Sequence, residues 1–193
     1  MASGILPYSP PSPDEPVEIT VRKAGMLDVH DLLSLINQYA ARGIMLPRTE
    51  FEMSENIRDF TVAYSGQQLL GCGALHFYTP TSGEVRSLAV DPNLKTRGIG
   101  KRIVAALENE AIENRLHALF AFTYVPEFFY KLGFREIERG ALPLKVWKDC
   151  LRCSKFQCCD EIAVLKALRP NPVLHPSTEP ERDLVQIPLL KTV

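Results

Sequence analysis

The sequence predicts a single α+β domain in which helices flank a mixed, mostly antiparallel central sheet. The length of 193 residues suits one hydrophobic core of ordinary size. Strand-type and helix-type periodicities succeed one another along the chain, and three strand patterns in its middle are joined by short turns, which favours an antiparallel meander. With 46% hydrophobic and 23% charged residues, the composition is that of an average globular protein.

Prolines mark the limits of this domain. Five of the 15 prolines lie within residues 1–16 and five more within 170–193. Proline removes an amide donor and fixes φ, so segments rich in it resist regular structure. We therefore predict Pro-rich tails over 1–16 and 169–193 and a folded body over 17–168.

The body is predicted to open with a strand and two helices. Val17–Arg22 alternates apolar and polar residues as a half-buried strand does. The next segment carries apolar residues at helical spacing between a cap at Asp28 and a stop at Gly43. Thr49, with a glutamate three residues later, has the spacing of a capping box for a second helix that reaches about Phe60.

The remaining elements alternate between strands and helices. Turn-forming residues separate the three strands of the meander, and the helices are recognised by their apolar faces and closing glycines. The predicted order is strands Thr61–Tyr64, Leu69–Tyr78 and Glu84–Val90, helix Gly98–Asn114, strand Ala118–Thr123, helix Glu127–Leu132 and strand Phe134–Glu138, followed by a cysteine-bearing segment over 142–162.

Charge and hydropathy exclude several classes of protein. The formal net charge is -1, so the chain lacks the basic field that nucleic-acid and anionic-membrane binding requires. No apolar run approaches the roughly 20 residues of a membrane span, and the first 16 residues do not resemble a signal peptide. We expect a cytoplasmic protein with reduced cysteines. The oligomeric state is left open.

The segment from Leu88 to Lys101 is the most informative in the chain. It runs from a strand through a proline turn into a helix whose first turn contains Gly98 and Gly100. Bare backbone there lets a ligand approach the free amides at the helix start, where the helix dipole favours an anion. Lys95, Arg97 and Lys101 surround this point with positive charge. A diphosphate fits this pattern, and an ordinary surface loop is the alternative.

This segment and the order of elements resemble the GCN5-related N-acetyltransferase (GNAT) family over about residues 17–140. Leu88-Ala89-Val90 is similar to the strand end that precedes the family's cofactor loop, and Lys95–Gly100 to its Gln/Arg-x-x-Gly-x-Gly/Ala loop, with Lys95 as a departure. The resemblance implies a GNAT-like fold that binds acetyl-CoA. The implied cofactor-binding residues are Leu88, Ala89, Val90, Lys95, Thr96, Arg97, Gly98, Ile99, Gly100 and Lys101.

Acetyl transfer to an amine needs a base for the amine and an acid for the departing thiolate. Glu84 begins the strand that ends in the loop, and the family resemblance implies that a glutamate there is the base. Period-two alternation predicts that Glu84, Arg86 and Leu88 share a face. Tyr130 lies in a segment that resembles the family's tyrosine-to-Gly-Phe stretch, which implies that it is the general acid. The alternatives are a solvated turn for Glu84 and aromatic core packing for Tyr130.

Local stretches narrow the resemblance to the acetyltransferase domain of bacterial N-acetylglutamate synthases, in their short, free-standing form. The stretches are 43–49, 71–75 and 83–90. They imply transfer to the α-amine of glutamate, with Arg48 and Arg86 binding its carboxylates through their guanidinium groups. For Arg86 an exposed charge on the sheet is the alternative. The rival functions are acetylation of another amine, such as a protein N-terminus or a polyamine, and a non-catalytic role as an acyl-CoA sensor or a cysteine-cluster interaction module.

Four cysteines lie within ten residues near the end of the body. Cys150, Cys153, Cys158 and Cys159 provide enough thiolates for a structural zinc, although adjacent cysteines rarely share one tetrahedral metal. Buried thiols are the alternative, so the metal is left unknown. Cys72, alone in a predicted strand, is interpreted as part of the core.

Overall fold

A computed structural model describes residues 18–142, 153, 155 and 158–174, with the side chains of 95–97 left out. The predicted tail over 1–16 and the part of the C-terminal tail beyond 174 lie outside the described residues. So does most of the cysteine-bearing segment, including Cys150.

Seven strands form one mixed sheet in the described part of the chain, in the order β1-β2-β3-β4-β5-β7-β6. Neighbouring strands pair antiparallel except β4 and β5, which are parallel. The predicted fold class is confirmed. The strands are β1 Thr20–Lys23, β2 Phe60–Ser65, β3 Gln68–Thr79, β4 Ser82–Val90, β5 Ala118–Thr123, β6 Arg135–Glu136 and β7 Ile162–Ala167.

The α-helices are α1 Val29–Ala40, α2 Glu50–Glu55, α3 Ile99–Glu113 and α4 Pro126–Tyr130. The predicted capping box is present, since the Thr49 hydroxyl accepts from the Glu52 amide at 3.2 Å and the Glu52 carboxylate accepts from the Thr49 amide at 3.1 Å. The helix ends at Glu55 and not near Phe60, because a 3-10 turn over Ile57–Asp59 follows it. None of the described helices has the length and apolar character that a membrane span requires.

The predicted cap at Asp28 is wrong in its mechanism. The Asp28 side chain makes no capping bond to α1, although the residue stands at its N-terminus. Its carboxylate instead accepts from both terminal nitrogens of Arg22, at 2.7 and 2.8 Å, and from the Gly25 amide at 2.8 Å. The hydrogen bonds from Arg22 lower the pKa of Asp28 to about 2. The residue therefore ties the first strand to the first helix.

The sheet has two covered faces. On one, which we call the α3 face, Ile103 and Leu107 of α3 pack against Val85 of β4 and Leu119 of β5. On the other, the α1–α2 face, buried side chains of α1 and α2 pack against β2 and β3. Those of α1 and α2 are Val29, Leu32, Leu35, Ile36, Tyr39 and Met53. Along β5 the residues alternate, so Phe120 lies on the α1–α2 face, where it packs with Leu165 of β7.

The last strand in sequence, β7, was not predicted. It pairs along all six residues of β5 and separates β5 from the edge strand β6. The predicted strand over Phe134–Glu138 is reduced to the two residues of β6. The apolar run Ile162–Leu165 is the sequence signal for β7, but it directly follows the cysteine-bearing segment with which the prediction grouped it.

Candidate active site

A gap opens between β4 and β5. The two parallel strands pair only from Ser82 to Glu84 on β4, opposite Ala118 to Phe120 on β5. Both strands continue beyond this point, β4 as far as Val90 and β5 as far as Thr123. They therefore diverge and leave a wedge at their carboxyl ends, which we call the β4–β5 wedge. Backbone groups of β4 that would otherwise join a ladder face this wedge, and an extended ligand can pair with them.

A bulge in β4 changes which residues face which side of the sheet. Arg86 lies opposite Ala74, and Ala89 lies opposite Cys72. Two β4 residues, Ser87 and Leu88, thus share one β3 partner position, and Ser87 adopts a φ of 52°.

The prediction that Glu84, Arg86 and Leu88 share a face is wrong for this reason. Glu84 and Arg86 lie on the α1–α2 face, because Val85 between them packs into the core of the α3 face. Leu88, beyond the bulge, also packs against the core of the α3 face. Strand β4 therefore has the polar side chains of Glu84 and Arg86 on one face and apolar side chains that pack against α3 on the other.

The end of β4 is anchored from both sides. The Tyr39 hydroxyl of α1 donates to the carbonyl of Val90 at 2.6 Å, and the Asp91 amide donates to the carbonyl of Leu70 at 2.9 Å. The Asp91 carboxylate then caps the following 3-10 turn by accepting from the Asn93 amide at 2.9 Å. The loop from strand to helix therefore starts from a fixed point. The side chains of Lys95, Thr96 and Arg97 lie outside the described residues, and their predicted contacts stay predictions.

The two glycines of the loop have different roles. Gly98 has a φ of 74°, and a Cβ built there meets no atom within 4 Å. It is the position where the backbone needs glycine and leaves open space beside the helix start. At Gly100 a Cβ would lie 3.3 Å from Cζ of Phe128 in α4. Gly100 therefore makes room for an aromatic ring of the protein itself, a role the sequence analysis did not foresee.

The N-terminus of α3 is suited to an anion. The first backbone hydrogen bond at this end joins the Arg102 amide to the carbonyl of Gly98, so the amides of Ile99, Gly100 and Lys101 precede the helical ladder. No acidic residue lies in the first turn of this 15-residue helix. The positive end of the helix dipole is therefore not offset by a carboxylate within its own first turn.

A polar cluster lies on the α1–α2 face beside the wedge. Its members are Asp59, His76, Glu84 and Arg86. Glu84 is 9% exposed and stands directly opposite His76 in the β3–β4 register. His76 Nδ1 lies 2.6 Å from Asp59 Oδ2, and Arg86 Nη2 lies 3.5 Å from the same oxygen. A buried carboxylate, an imidazole and a guanidinium thus come together on one side of β3 and β4.

Asp59 and His76 are the functional candidates that the sequence analysis missed. They are 17 residues apart and belong to different elements, a 3-10 turn and a strand. No spacing rule connects them. The available signal was a histidine among the mostly apolar residues of the predicted strand Leu69–Tyr78.

Arg48 is held at the start of α2 by its backbone. The Arg48 amide donates to Oδ1 of Asn37, and Nδ2 of Asn37 donates to the Arg48 carbonyl, both at 3.0 Å. Asn37 belongs to α1, so the backbone of Arg48 is held on the same side of the sheet as the polar cluster. The segment that enters α2 is therefore fixed by side-chain bonds and not only by its capping box.

Tyr130 lies in α4 with its hydroxyl engaged by the edge strand. The hydroxyl donates to Oε2 of Glu136 at 3.1 Å. Burial and the neighbouring Glu136 carboxylate raise the pKa of Tyr130, which keeps the phenol protonated at neutral pH. The ring of Phe129 beside it is buried and meets Phe134 edge-on at 5.2 Å between centroids. Aromatic packing is thus present in this segment, and the role of Tyr130 as an acid stays a prediction.

The described part of the cysteine-bearing segment lies against the end of β5. The Lys155 ammonium donates to the Tyr124 hydroxyl at 3.2 Å and sits 4.7 Å from the centroid of that ring. Arg139 donates to the carbonyls of Cys159 and Glu161. Within the described residues there is no group of three or more side chains able to hold a metal ion.

Cys72 is buried in the core, as predicted. Burial raises the pKa of its thiol to about 12, so it remains protonated and unreactive at neutral pH.

Comparison of the sequence with known proteins identifies the family to which this fold belongs. Residues 27–134 match the model of the acetyltransferase (GNAT) family. The chain is 40% identical over 148 residues to an uncharacterized N-acetyltransferase of Chlorobaculum tepidum, a match that covers 77% of this chain and 96% of the relative. It is 35% identical over 154 residues to an amino-acid acetyltransferase of Mycobacterium tuberculosis, which covers 78% and 87% of the two chains.

Solved structures of related proteins have the same fold. The Mycobacterium tuberculosis protein Rv2747, in complex with CoA and NLQ, matches with a TM-score of 0.68 and 30% identity over 78% of this chain and 99% of its own. N-acetylglutamate synthase from Neisseria gonorrhoeae, complexed with coenzyme A and N-acetyl-glutamate, matches with a TM-score of 0.73 and 25% identity over 81% of this chain and 36% of its own. The family match, covering more than half of the chain, together with the fold shows that this protein is an acetyltransferase of the GNAT family.

Proposed function

We propose that this protein transfers the acetyl group of acetyl-CoA to the α-amine of L-glutamate by direct attack, which is the reaction of an N-acetylglutamate synthase. The observation that carries the proposal is the placement of buried Glu84 and of Arg86 on one face, beside the β4–β5 wedge. A base and a carboxylate-binding group are thereby side by side. The names of two relatives support an amino acid as acceptor, since one is an amino-acid acetyltransferase and the other was solved with N-acetyl-glutamate.

The co-substrate is assigned to the wedge and the helix start beyond it. Backbone groups of Leu88, Ala89 and Val90 border the wedge and suit the amide-bearing pantetheine arm. The amides ahead of α3, together with Gly98 and Lys101, suit the pyrophosphate. Two structural relatives contain CoA, which supports this placement.

The proposed chemistry needs one proton acceptor and one proton donor from the protein. Glu84 accepts a proton from the amine as its nitrogen attacks the thioester carbonyl carbon. The carbon–sulfur bond then breaks, and the thiolate takes a proton from the Tyr130 hydroxyl, which has to leave Glu136 to reach it. Because the ordinary pKa of a thiol is about 8.5, the released sulfur ends mostly as the protonated thiol at pH 7.

Glutamate carries two carboxylates, and two arginines are assigned to them. Arg86 is 11% exposed at its side chain and shares Asp59 with His76, so its guanidinium is held rigid beside Glu84. Arg48 is fixed by Asn37 at the entry of α2. Guanidinium groups bind carboxylates through paired hydrogen bonds, which favours an acidic amino acid over a neutral one.

Thiol release from acetyl-CoA tests the proposal across the twenty amino acids, a peptide with a free N-terminus and a polyamine. We expect glutamate to give the largest kcat/KM and Arg86→Gln to reduce that preference more than it reduces acetyl-CoA binding. Equal, weak rates for all amino acids would overturn glutamate as the acceptor. A faster peptide or polyamine would point to another amine, and binding of acetyl-CoA without turnover on any acceptor would identify a sensor.

A further inference from the structure

The Asp59–His76 pair lies next to the proposed base without a role in the chemistry described so far. His76 faces Glu84 across two paired strands, and residues directly opposite in an antiparallel pair have Cβ atoms about 5 Å apart. Both side chains lie on the α1–α2 face. Arg48 and Arg86, which we assign to the carboxylates of the substrate, are on the same side of the sheet. An acceptor amine within reach of Glu84 is therefore close to the imidazole as well.

Asp59 determines which imidazole nitrogen carries the proton. Its Oδ2 lies 2.6 Å from Nδ1 of His76, and a carboxylate only accepts hydrogen bonds. In the neutral ring the proton is thus on Nδ1, and Nε2 presents a lone pair. A carboxylate that orients a histidine in this way is a recurring arrangement in enzymes that move protons.

We propose that His76, oriented by Asp59, is a second proton acceptor of the acceptor site and takes the proton of the substrate ammonium before the attack. The inference rests on the proposed function, because it assumes an amine acceptor beside Glu84. Glu84 is then left to accept the second proton, the one that the nitrogen loses as its bond to the acetyl carbon forms.

The protons balance with these two acceptors. An ammonium acceptor loses one N–H proton to Nε2 of His76 and becomes a free amine. Its lone pair attacks the thioester carbon, and a second N–H proton passes to Glu84 as the amide forms. The carbon–sulfur bond breaks, the thiolate takes a proton from the Tyr130 hydroxyl, and one of the two protons removed from the nitrogen replaces it through solvent. In total, one proton is released to solvent for each acetyl group transferred.

Solvent exposure supports this division of the two protons between His76 and Glu84. The His76 side chain is 28% exposed, whereas Glu84 is 9% exposed, so His76 can return its proton to water more directly.

The charged and titratable groups that face His76 come from three elements. They are Asp59 from the 3-10 turn, Glu84 and Arg86 from β4, and Tyr78 from β3, whose ring meets the imidazole edge-on at 4.9 Å. The Asp59 carboxylate faces both Arg86 and His76. The His76 ring therefore has two carboxylates and one guanidinium around it.

Steady-state kinetics of His76→Gln and His76→Ala, with glutamate or the best acceptor found, tests the proposal. We expect kcat to fall roughly 100-fold in both variants, with acetyl-CoA affinity within about twofold of wild type. Added imidazole restores the kcat of His76→Ala in a concentration-dependent way and does not affect His76→Gln. Asp59→Asn also lowers kcat, since an amide can donate to Nδ1 and reverse the proton-bearing nitrogen. The matched control is His117→Gln, a histidine outside the polar cluster, with wild-type rates.

Three outcomes overturn the proposal: kcat unchanged in His76→Gln, a rise in KM with kcat intact, which marks a binding contact, or a loss in His76→Ala that imidazole does not repair. A failure of the proposed function looks different. In that case Glu84→Gln retains activity or glutamate is not the preferred acceptor, whereas the His76 variants are judged on whichever amine the wild type acetylates.

Discussion

The two faces of the sheet differ in what they contain, although β4 contributes to both. The α3 face is packed with aliphatic and aromatic side chains from α3, α4 and the strands. The α1–α2 face combines an apolar core with the polar cluster of Asp59, His76, Glu84 and Arg86. The apolar face fixes the helix start that suits the cofactor, and the mixed face holds the groups that suit removal of protons from the acceptor amine. The bulge at Ser87 is where the alternation of β4 side chains between the two faces shifts by one residue.

The largest effect should follow a change on the mixed face. Glu84→Gln keeps the shape of the side chain and removes its charge, so we expect kcat to fall by about 10²–10⁴-fold. Thiol release at saturating acetyl-CoA measures it. Glu113→Gln is a suitable control, because Glu113 is an exposed residue at the end of α3. A Glu84→Gln enzyme within threefold of wild type would show that this carboxylate is not the base.

A change at the helix start should affect binding. Valine at Gly98 is strained at a φ of 74°, at a cost of about 1–3 kcal/mol, and its side chain enters the space beside the α3 amides. We expect acetyl-CoA binding by calorimetry to weaken about 10–100-fold. Gly43 has a similar φ of 68° and equally open surroundings. Gly43→Val therefore controls for strain, and an equal loss of affinity in that variant would refute a local role for Gly98.

The predicted acid, Tyr130, packs against the core of the α3 face. Tyr130→Phe should lower kcat about tenfold and leave acetyl-CoA affinity nearly unchanged, because only the proton donor is lost. Burial and Glu136 raise the pKa of this phenol, and Glu136→Gln removes the charge that contributes to the shift. We expect Glu136→Gln to retain kcat. Turnover that is unchanged in Tyr130→Phe removes this residue as the acid.

The smallest effect concerns stability and not chemistry. Asp28 has a folded-state pKa of about 2, below the ordinary value near 3.8, so its pairing with Arg22 stabilises the fold above about pH 4 and is lost as the pH falls toward 2. Arg22 is half exposed, which limits the contribution to about 1 kcal/mol. Asp28→Asn should lower the free energy of unfolding by that amount at pH 7, measured by urea denaturation. The difference from wild type should shrink near pH 2, and a constant difference would rule out its electrostatic origin.

Periodicity was enough to predict the order of elements through β5 and the loop into α3. It failed where a contact between distant segments decides the structure. The register shift at Ser87 depends on pairing with β3, and the carboxylate of Asp28 turns to Arg22 of β1. β7 was missed because it pairs with β5, about 40 residues earlier in the chain. The Asp59–His76 contact arises in the same way, since it needs the folded sheet to bring a turn against a strand.

In our account the α3 face supports cofactor binding, whereas Glu84 on the α1–α2 face serves only proton removal. Calorimetric titration of the Glu84→Gln variant with acetyl-CoA tests this division most directly. We predict one acetyl-CoA binding site per chain with an affinity within about twofold of wild type, in a variant whose kcat has fallen by about 10²–10⁴-fold. A variant that has lost both binding and turnover would contradict the account, because the buried carboxylate would then be part of the cofactor site.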